Sequence, residues 1–471
     1  MSNFKTSLKS SSTRLLVNVF GQVINTFGNL AIVPLFLLYW SKLEYGEWLV
    51  LTTVPSLLWS LEGGFAGLAC NRMVLSSAVG DWKGANRLFQ NIVVIQVIVS
   101  LLLIGAGYIV TQAVNYRPFF GITAMSAGDA AFILVVMLVY MSLGWCISLL
   151  KAPYYAGEKS PRGFMMFNCW RLTDFVAIGT ALMLHGHGRV VALAQVANAA
   201  LWVMLACLDI TRQCPRFTFG LRDLSWSTTK TVFHDGFPLF LAQAGHAFYL
   251  QGYPLVLSRT LGPLAVVNFS AIRTVTRVLL QGILICSSAA ALELSTAFAK
   301  KNWEVYLLWV KVLLAGVVVG GIGACLGLLF LGPSIIDVWT HGKVVVSGGL
   351  LLLFGISVVL QAAWAIFYML LYTSNKHHIQ CYAYFGITVG ALLLGNFIIG
   401  RFGFESVPIL MIAADVIVLG SAIHFCVRYL REVPFARLIE ILSPGFYLEG
   451  TALALRKIRS LRGTRPVSPE A

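Results

Sequence analysis

Arg273 and Arg277 stand four residues apart inside an apolar stretch, Leu264 to Ala297. At helical spacing, residues i and i+4 share a face, so both guanidinium groups project the same way. Counted from Leu264, they lie about 14 and 20 Å along the helix. A planar guanidinium makes paired hydrogen bonds to phosphate or carboxylate, and two on one face form a clamp for an anion. Glu62 offers the complementary chemistry. It sits in LLWSLEGGFAGLACNR, Leu57 to Arg72, directly before Gly63 and Gly64. It lies about 25 Å along a helix begun at Tyr45. Three roles are open to it: pairing with Arg277, taking up a proton, which burial of a carboxylate favours, or hydration near a membrane surface. Arg171 and Asp174, at i and i+3, are spaced to neutralise each other within one helix, with Arg171 a reserve cation for a cavity. Asp415 has no obvious partner, and His246 reads as a satisfied core histidine.

The elements that must position these groups are membrane helices. The chain has 471 residues, 58% hydrophobic and 11% charged, with a mean hydropathy of +0.81. A soluble domain is about 25% charged. Apolar runs near the roughly 20 residues needed to cross a bilayer recur from end to end. Their backbone groups must pair internally, and unbroken rather than alternating apolar patterning selects helices over a barrel. Twelve spans are predicted: Thr13–Trp40, Tyr45–Cys70, Phe89–Thr111, Asp129–Leu150, Gly163–Leu184 and Val190–Ile210, then Gly236–Leu257, Leu264–Ala297, Val305–Leu331, Val346–Leu371, Ile379–Ile399 and Val407–Val427. The fold class is therefore all-α and polytopic, with about 12 transmembrane helices. Span eight is long enough to project beyond the bilayer.

The segments on the N-terminal side of the membrane hold 24 Lys and Arg residues and the opposite loops 6. By the positive-inside rule both termini are cytoplasmic. The net charge of +15 is then this bias plus contact with anionic lipid, and a nucleic-acid partner is excluded. The nine cysteines fall in spans, at their ends or in an inner loop, and no CxxC occurs, so they read as small apolar residues. No metal or other cofactor is expected. Trp40, Tyr45 and Trp48 read as aromatic anchors at the outer interface.

The chain divides into an N-terminal six-helix lobe (1–210), a cytoplasmic connector (211–235), a C-terminal six-helix lobe (236–428) and a cytoplasmic tail (429–471). Pro34-Leu35 near the end of span one and Pro254-Leu255 near the end of span seven keep the same distance to Tyr45 and Ala265 at the next span. With an even number of spans per half, the halves are parallel repeats, as in transporters that rock two lobes about a central site. In the tail, Arg437 to Leu442 and Phe446 to Leu461 have the pattern of amphipathic helices on the inner membrane surface.

The pattern Pro34-Leu-x-Leu, Glu44-Tyr45-Gly46-x-Trp48, Ser60-Leu61-Glu62-Gly63-Gly64 and Cys70-Asn71-Arg72 with Gly80-Asp81 resembles bacterial oligosaccharide-lipid flippases. These form the polysaccharide-transporter branch of the multidrug/oligosaccharidyl-lipid/polysaccharide exporter superfamily. Lys151-Ala-Pro-Tyr-Tyr-Ala-Gly157-Glu-Lys159, Asp235-Gly236-Phe237-Pro238 and Arg277 fit the same likeness. The resemblance implies two six-helix lobes forming a V-shaped central cavity in the bacterial inner membrane. The cavity opens alternately to each side, and spans one, two, seven and eight line much of it. The implied substrate is an undecaprenyl-pyrophosphate-linked oligosaccharide, moved to the periplasmic leaflet for O-antigen, capsule or exopolysaccharide assembly. The implied partners are membrane lipid, a polysaccharide polymerase and other assembly proteins. On this reading Arg273, Arg277 and Arg171 bind pyrophosphate, while Glu62 and Asp174 serve coupling or gating.

Two other classes compete. A drug/cation antiporter of the same superfamily often carries an acid in span one, and nothing between Arg14 and Lys42 is charged. A membrane polysaccharide polymerase or glycosyltransferase usually needs a large outer loop, and the longest here, about Val114 to Gly128, carries only Arg117. The chain reads as a non-enzyme, and no nucleotide-binding motif appears.

Overall fold

A computed structural model describes residues 2–374 and 376–434, except the side chains of 2–16, 18, 19, 62–66, 68, 228, 229, 231–236, 238, 239, 279–293, 296 and 299. The predicted amphipathic tail segments lie outside the described residues. The N-terminal lobe comprises α1 (Ser2–Tyr39), α2 (Lys42–Ala78), α3 (Trp82–Ala113), α4 (Tyr116–Phe120), α5 (Ala127–Leu149), α6 (Ala152–Ala156), α7 (Ser160–Met183) and α8 (Gly188–Gln213). The C-terminal lobe comprises α9 (Trp226–Leu261), α10 (Pro263–Ala299), α11 (Trp303–Phe330), α12 (Gly332–Trp339), α13 (Gly348–Thr373), α14 (His378–Phe402) and α15 (Ser406–Tyr429). Setting aside the short α4, α6 and α12, these are the twelve predicted spans. Among the described residues, eight helices are long and apolar enough on their own to cross a bilayer.

The helix ends follow from local chemistry. Ser41 caps α2 in a reciprocal box with Glu44, and Asp81, Ser126 and Ser347 cap α3, α5 and α13 with side-chain oxygens. Between α9 and α10 the turn is one residue, Gly262, at φ +85°, which a side chain would strain. Pro263 then opens α10 with a ring already set to helical φ.

The internal repeat is carried by packing. In the first lobe α1 lies on α7, α2 on α3 and α5, α3 on α5, α5 on α8, and α7 on α8. In the second, α9 lies on α14, α10 on α11 and α13, α11 on α13, α13 on α15, and α14 on α15, which is the same set displaced by one lobe. The first two helices of each lobe are the longest, with 38 and 37 residues in one and 36 and 37 in the other. At 1.5 Å per residue each exceeds the roughly 30 Å hydrocarbon layer, as expected of span eight.

Among the described residues, the lobes share one hydrophobic core at one end. That end carries the α1–α2 and α9–α10 turns and is the expected outer one. Phe36, Trp48 and Leu51 of the first lobe and Tyr253, Val267 and Phe269 of the second belong to a single cluster there. Toward the other end the described residues form separate cores, one around Met73, Phe89 and Tyr154 and the other around Tyr306, Ile366 and Leu370. Two lobes joined at one end and cored separately at the other make a V. Cross-lobe hydrogen bonds reinforce the joined end: Ser258 Oγ donates to the Phe120 carbonyl at 2.5 Å, and the Trp339 indole donates to the Leu30 carbonyl at 2.8 Å. Lys343 Nζ donates to the carbonyls of Leu37 and Trp40.

Trp40, Tyr45 and Trp48 are not interface anchors. They are 9%, 2% and 5% exposed and pack around Phe36, with ring centroids 4.9, 5.0 and 5.8 Å from it. Aromatic edges and faces satisfy each other here, and the cluster forms part of the joint between lobes.

Beside them, the fully buried Glu47 receives the backbone N–H groups of Thr123, Ala124 and Met125 at 2.5, 2.6 and 2.7 Å. A carboxylate thereby fixes the loop that closes on the second lobe through Phe120. Glu47→Ala leaves three donors without their acceptor. A loss of about 3 kcal/mol is expected, read as a lower unfolding temperature in detergent and faster proteolysis within 121–126.

Candidate functional site

A cavity of about 470 Å³ opens inside the N-terminal lobe between α1, α2, α5, α7 and α8. Its polar groups follow helical spacing. Asn25 and Asn29 come from one face of α1, and Thr52, Ser56 and Ser60 from one face of α2. Each of these three hydroxyls gives its proton to the carbonyl one turn back, at 2.9, 2.7 and 3.0 Å, which leaves its lone pairs as acceptors. Aromatic faces flank them, including Trp59, stacked on Trp170 at 5.6 Å and 4°.

Arg171 and Asp174 both reach this cavity from α7 and interact through their charges, as the i, i+3 spacing suggests, without a direct ion-pair contact. A better partner exists for each in the tertiary structure. Arg171 Nε donates to Asn25 Oδ1 at 3.2 Å, and its guanidinium lies 5.6 and 5.2 Å from the rings of Trp170 and Phe175. Asp174, 2% exposed, receives the Tyr140 hydroxyl at 2.7 Å and Gln195 Nε2 at 3.5 Å, both on Oδ2. Its Oδ1 has no donor, and neither has Gln195 Oε1. A buried carboxylate oxygen without a hydrogen bond can take up a proton, at the wall of a cavity that also holds one guanidinium.

Arg273 and Arg277 lie on α10 in the other lobe, both half-buried. Arg273 donates to the Leu250 carbonyl of α9 and sits 5.5 Å from the Phe269 ring, so part of its fork is engaged within its own lobe. Arg277 lies near His246, which lines a second cavity of about 320 Å³ rather than sitting in a closed core. Glu62 belongs to α2, and its side chain lies outside the described residues. Asp415 does have partners: Ser357 Oγ at 2.6 Å and the Tyr249 hydroxyl at 2.9 Å. Sequence reasoning missed Tyr140, Gln195, Tyr249 and Ser357, none of which carries a charge. The Asn25/Asn29 and Thr52/Ser56/Ser60 periods were visible as polar stripes on otherwise apolar helices.

No family model and no curated protein sequence matches the chain. Solved structures do. The inward-facing conformation of a multidrug resistance MATE family transporter of the MOP superfamily superposes with a TM-score of 0.72 at 12% identity, covering 92% of this chain and 99% of that chain. The chain has the MATE fold. An outward-facing structure of a multidrug resistance MATE transporter of that superfamily gives 0.64 at 13% identity, covering 92% of this chain and 96% of that one. A MOP superfamily transporter from Pyrococcus furiosus, described by the reverse polarity of its binding pocket, gives 0.61 at 12% identity, with 92% and 96% covered. The chain is thus a multi-pass membrane protein whose solved MATE-fold neighbours are transporters.

Proposed function

We propose that the protein is an alternating-access antiporter that exchanges protons at Asp174 for an amphipathic organic solute. The observation that carries this reading is the pair of donor-less buried oxygens, Asp174 Oδ1 and Gln195 Oε1, at the wall of the N-terminal cavity. The fold supports it, since MATE-fold neighbours are named multidrug transporters. The missing acid in span one is no obstacle. α7 presents an acid to the same cavity that α1 lines with Asn25 and Asn29. Stacked tryptophans and hydroxyl acceptors suit a flat or polyhydroxylated solute. The 24 basic residues on the side of the termini support cytoplasmic termini, and the likeness to bacterial flippases supports a bacterial inner membrane.

A second reading, flipping of an undecaprenyl-pyrophosphate-linked oligosaccharide, has its own support. Arg171 brings a cation into the N-terminal cavity, and Arg273 and Arg277 bring two more into the other lobe. At the α1–α10 seam, Leu30, Val275, Val278, Leu331 and Trp339 line an apolar pocket of about 560 Å³, where a polyprenyl chain would fit. On this reading a polysaccharide polymerase and other assembly proteins are partners. Liposomes bearing the purified protein and an imposed proton gradient separate the two. Gradient-driven movement of ethidium supports the antiporter. Flipping of a fluorescent polyprenyl-pyrophosphate oligosaccharide, without ethidium movement, replaces it with the flippase.

A further inference from the structure

The C-terminal lobe contains a buried acid that the N-terminal cavity does not use. Asp415, in the middle of α15, is 1% exposed. Its Oδ2 receives Ser357 Oγ of α13 at 2.6 Å and the Tyr249 hydroxyl of α9 at 2.9 Å. Gln361 Nε2 of α13 donates to the Tyr249 oxygen at 2.8 Å and so extends the network. Gln361 also forms part of the wall of the second cavity, with Trp364, His246 and Tyr384. The network therefore reaches a cavity large enough for solvent.

The charge surroundings are one-sided. α9 turns Tyr249 and Tyr253 toward the acid and α14 turns Tyr384. α13 contributes Ser357, Gln361 and Trp364, none of which titrates. His246 and Cys381 line the cavity beyond, with Arg277 near His246. Among the described residues no cation is in ion-pair contact with Asp415, and its Oδ1 accepts no well-formed hydrogen bond; the group beside it is the Trp364 indole N–H, also without a well-formed bond. An ionised carboxylate buried at this depth has only neutral dipoles and no cation to balance it, which is costly. A proton bound to Oδ1 neutralises the group and leaves Oδ2 free to accept both hydroxyls. A purely structural residue would not need to titrate, because asparagine offers the same acceptor at lower burial cost.

We infer that Asp415 is a proton-binding site of the C-terminal lobe, reached through the cavity lined by Gln361 and Trp364. Each lobe then binds one exchangeable proton on its own carboxylate. The site joins α13 and α15 to α9, the helix that forms the seam with α2. A change of charge at Asp415 therefore acts on the contact between lobes. The inference does not depend on which solute is carried.

Infrared difference spectroscopy of the purified full chain in lipid nanodiscs, titrated between about pH 5 and 9, tests it. A protonated-carboxyl absorption that disappears as pH rises is expected, with one component from each lobe. The Asp415 component should vanish in Asp415→Asn, shift in frequency in Asp415→Glu, and survive in Asp174→Asn. About one proton per chain should be lost from the titration of Asp415→Asn. A pH-dependent carboxyl absorption with no component lost in Asp415→Asn, or an Asp415 component unchanged across the range, overturns the proposal. If Asp415→Asn does not fold, an unshifted band in Asp415→Glu overturns it equally. Loss of the band only in Asp174→Asn would leave the N-terminal coupling site standing and remove this one.

Discussion

Replacing Gly46 by alanine is expected to push the two lobes apart at the outer end, whereas the same change at Gly67 on the same helix is not. A Cβ at Gly46 would stand 2.7 Å from the Pro263 carbonyl oxygen and 2.9 Å from its carbonyl carbon. Both are backbone atoms at the start of α10, so no side chain can swing aside. A Cβ at Gly67 meets nothing within 4 Å. Both substitutions gain the helix propensity of alanine over glycine, about 1 kcal/mol, so the intrinsic effect cancels between them. What differs is the clash at the joint. A bias of about 2.8 kcal/mol against the closed form lowers its population relative to the open form a hundredfold. In a cysteine-free background, spin labels at the exposed Val114 and Leu264 should report a longer distance in Gly46→Ala and an unchanged one in Gly67→Ala. Equal distances in both variants would mean that the α2–α10 contact does not hold the joint. Transport should fall with the closed population, because a cycle that cannot shut its outer end loses the inward-open state.

The second large effect is expected at Asp174. Asparagine is isosteric, and its oxygen accepts the Tyr140 hydroxyl as the carboxylate oxygen does at 2.7 Å. Asp174→Asn should therefore fold with a stability within about 1 kcal/mol of the parent. It cannot bind and release a proton. Gradient-driven ethidium movement in liposomes should drop to passive equilibration, with no dependence on the imposed gradient. Asp174→Ala is different in kind. It strands the buried Tyr140 hydroxyl and the Gln195 amide, at an expected cost of about 2–4 kcal/mol, and lowers the yield of folded protein. If Asp174→Asn pumps against the gradient as the parent does, the proton is carried elsewhere, and the N-terminal cavity is a solute site alone.

The polar side chains explain how much was legible beforehand. Apolar run length alone placed twelve long helices, because a bilayer leaves a chain no other way to pair its backbone. Charged residues in those runs were equally visible, and Arg171, Asp174, Arg273 and Arg277 were singled out by charge. Their partners were not. Spacing along one helix suggested that Arg171 and Asp174 neutralise each other. In the fold Asp174 turns to Tyr140 on α5, 34 residues away, and Arg171 to Asn25 on α1, 146 residues away. The charge interaction between the two persists, but their hydrogen bonds are made across helices, and one helix's sequence contains no record of what lies beside it. The same holds for Asp415, which had no partner within its own span and two on neighbouring helices.

The aromatic cluster at Trp40, Tyr45 and Trp48 shows the limit in another form. Composition marks such residues as interface anchors, and that is their average behaviour in membrane proteins. Only packing decides that these three turn inward on Phe36 and help to join the lobes. By itself the sequence determined an all-helical, twelve-span membrane chain with an internal repeat and charged groups in its interior. Hydrophobic length, periodicity and charge are local properties that survive in one dimension. The tertiary structure alone decided which end of the V is joined, which cavity each charge faces, and that the buried acids of α7 and α15 each keep one oxygen without a well-formed hydrogen bond. Those facts depend on contacts between helices that are distant along the chain.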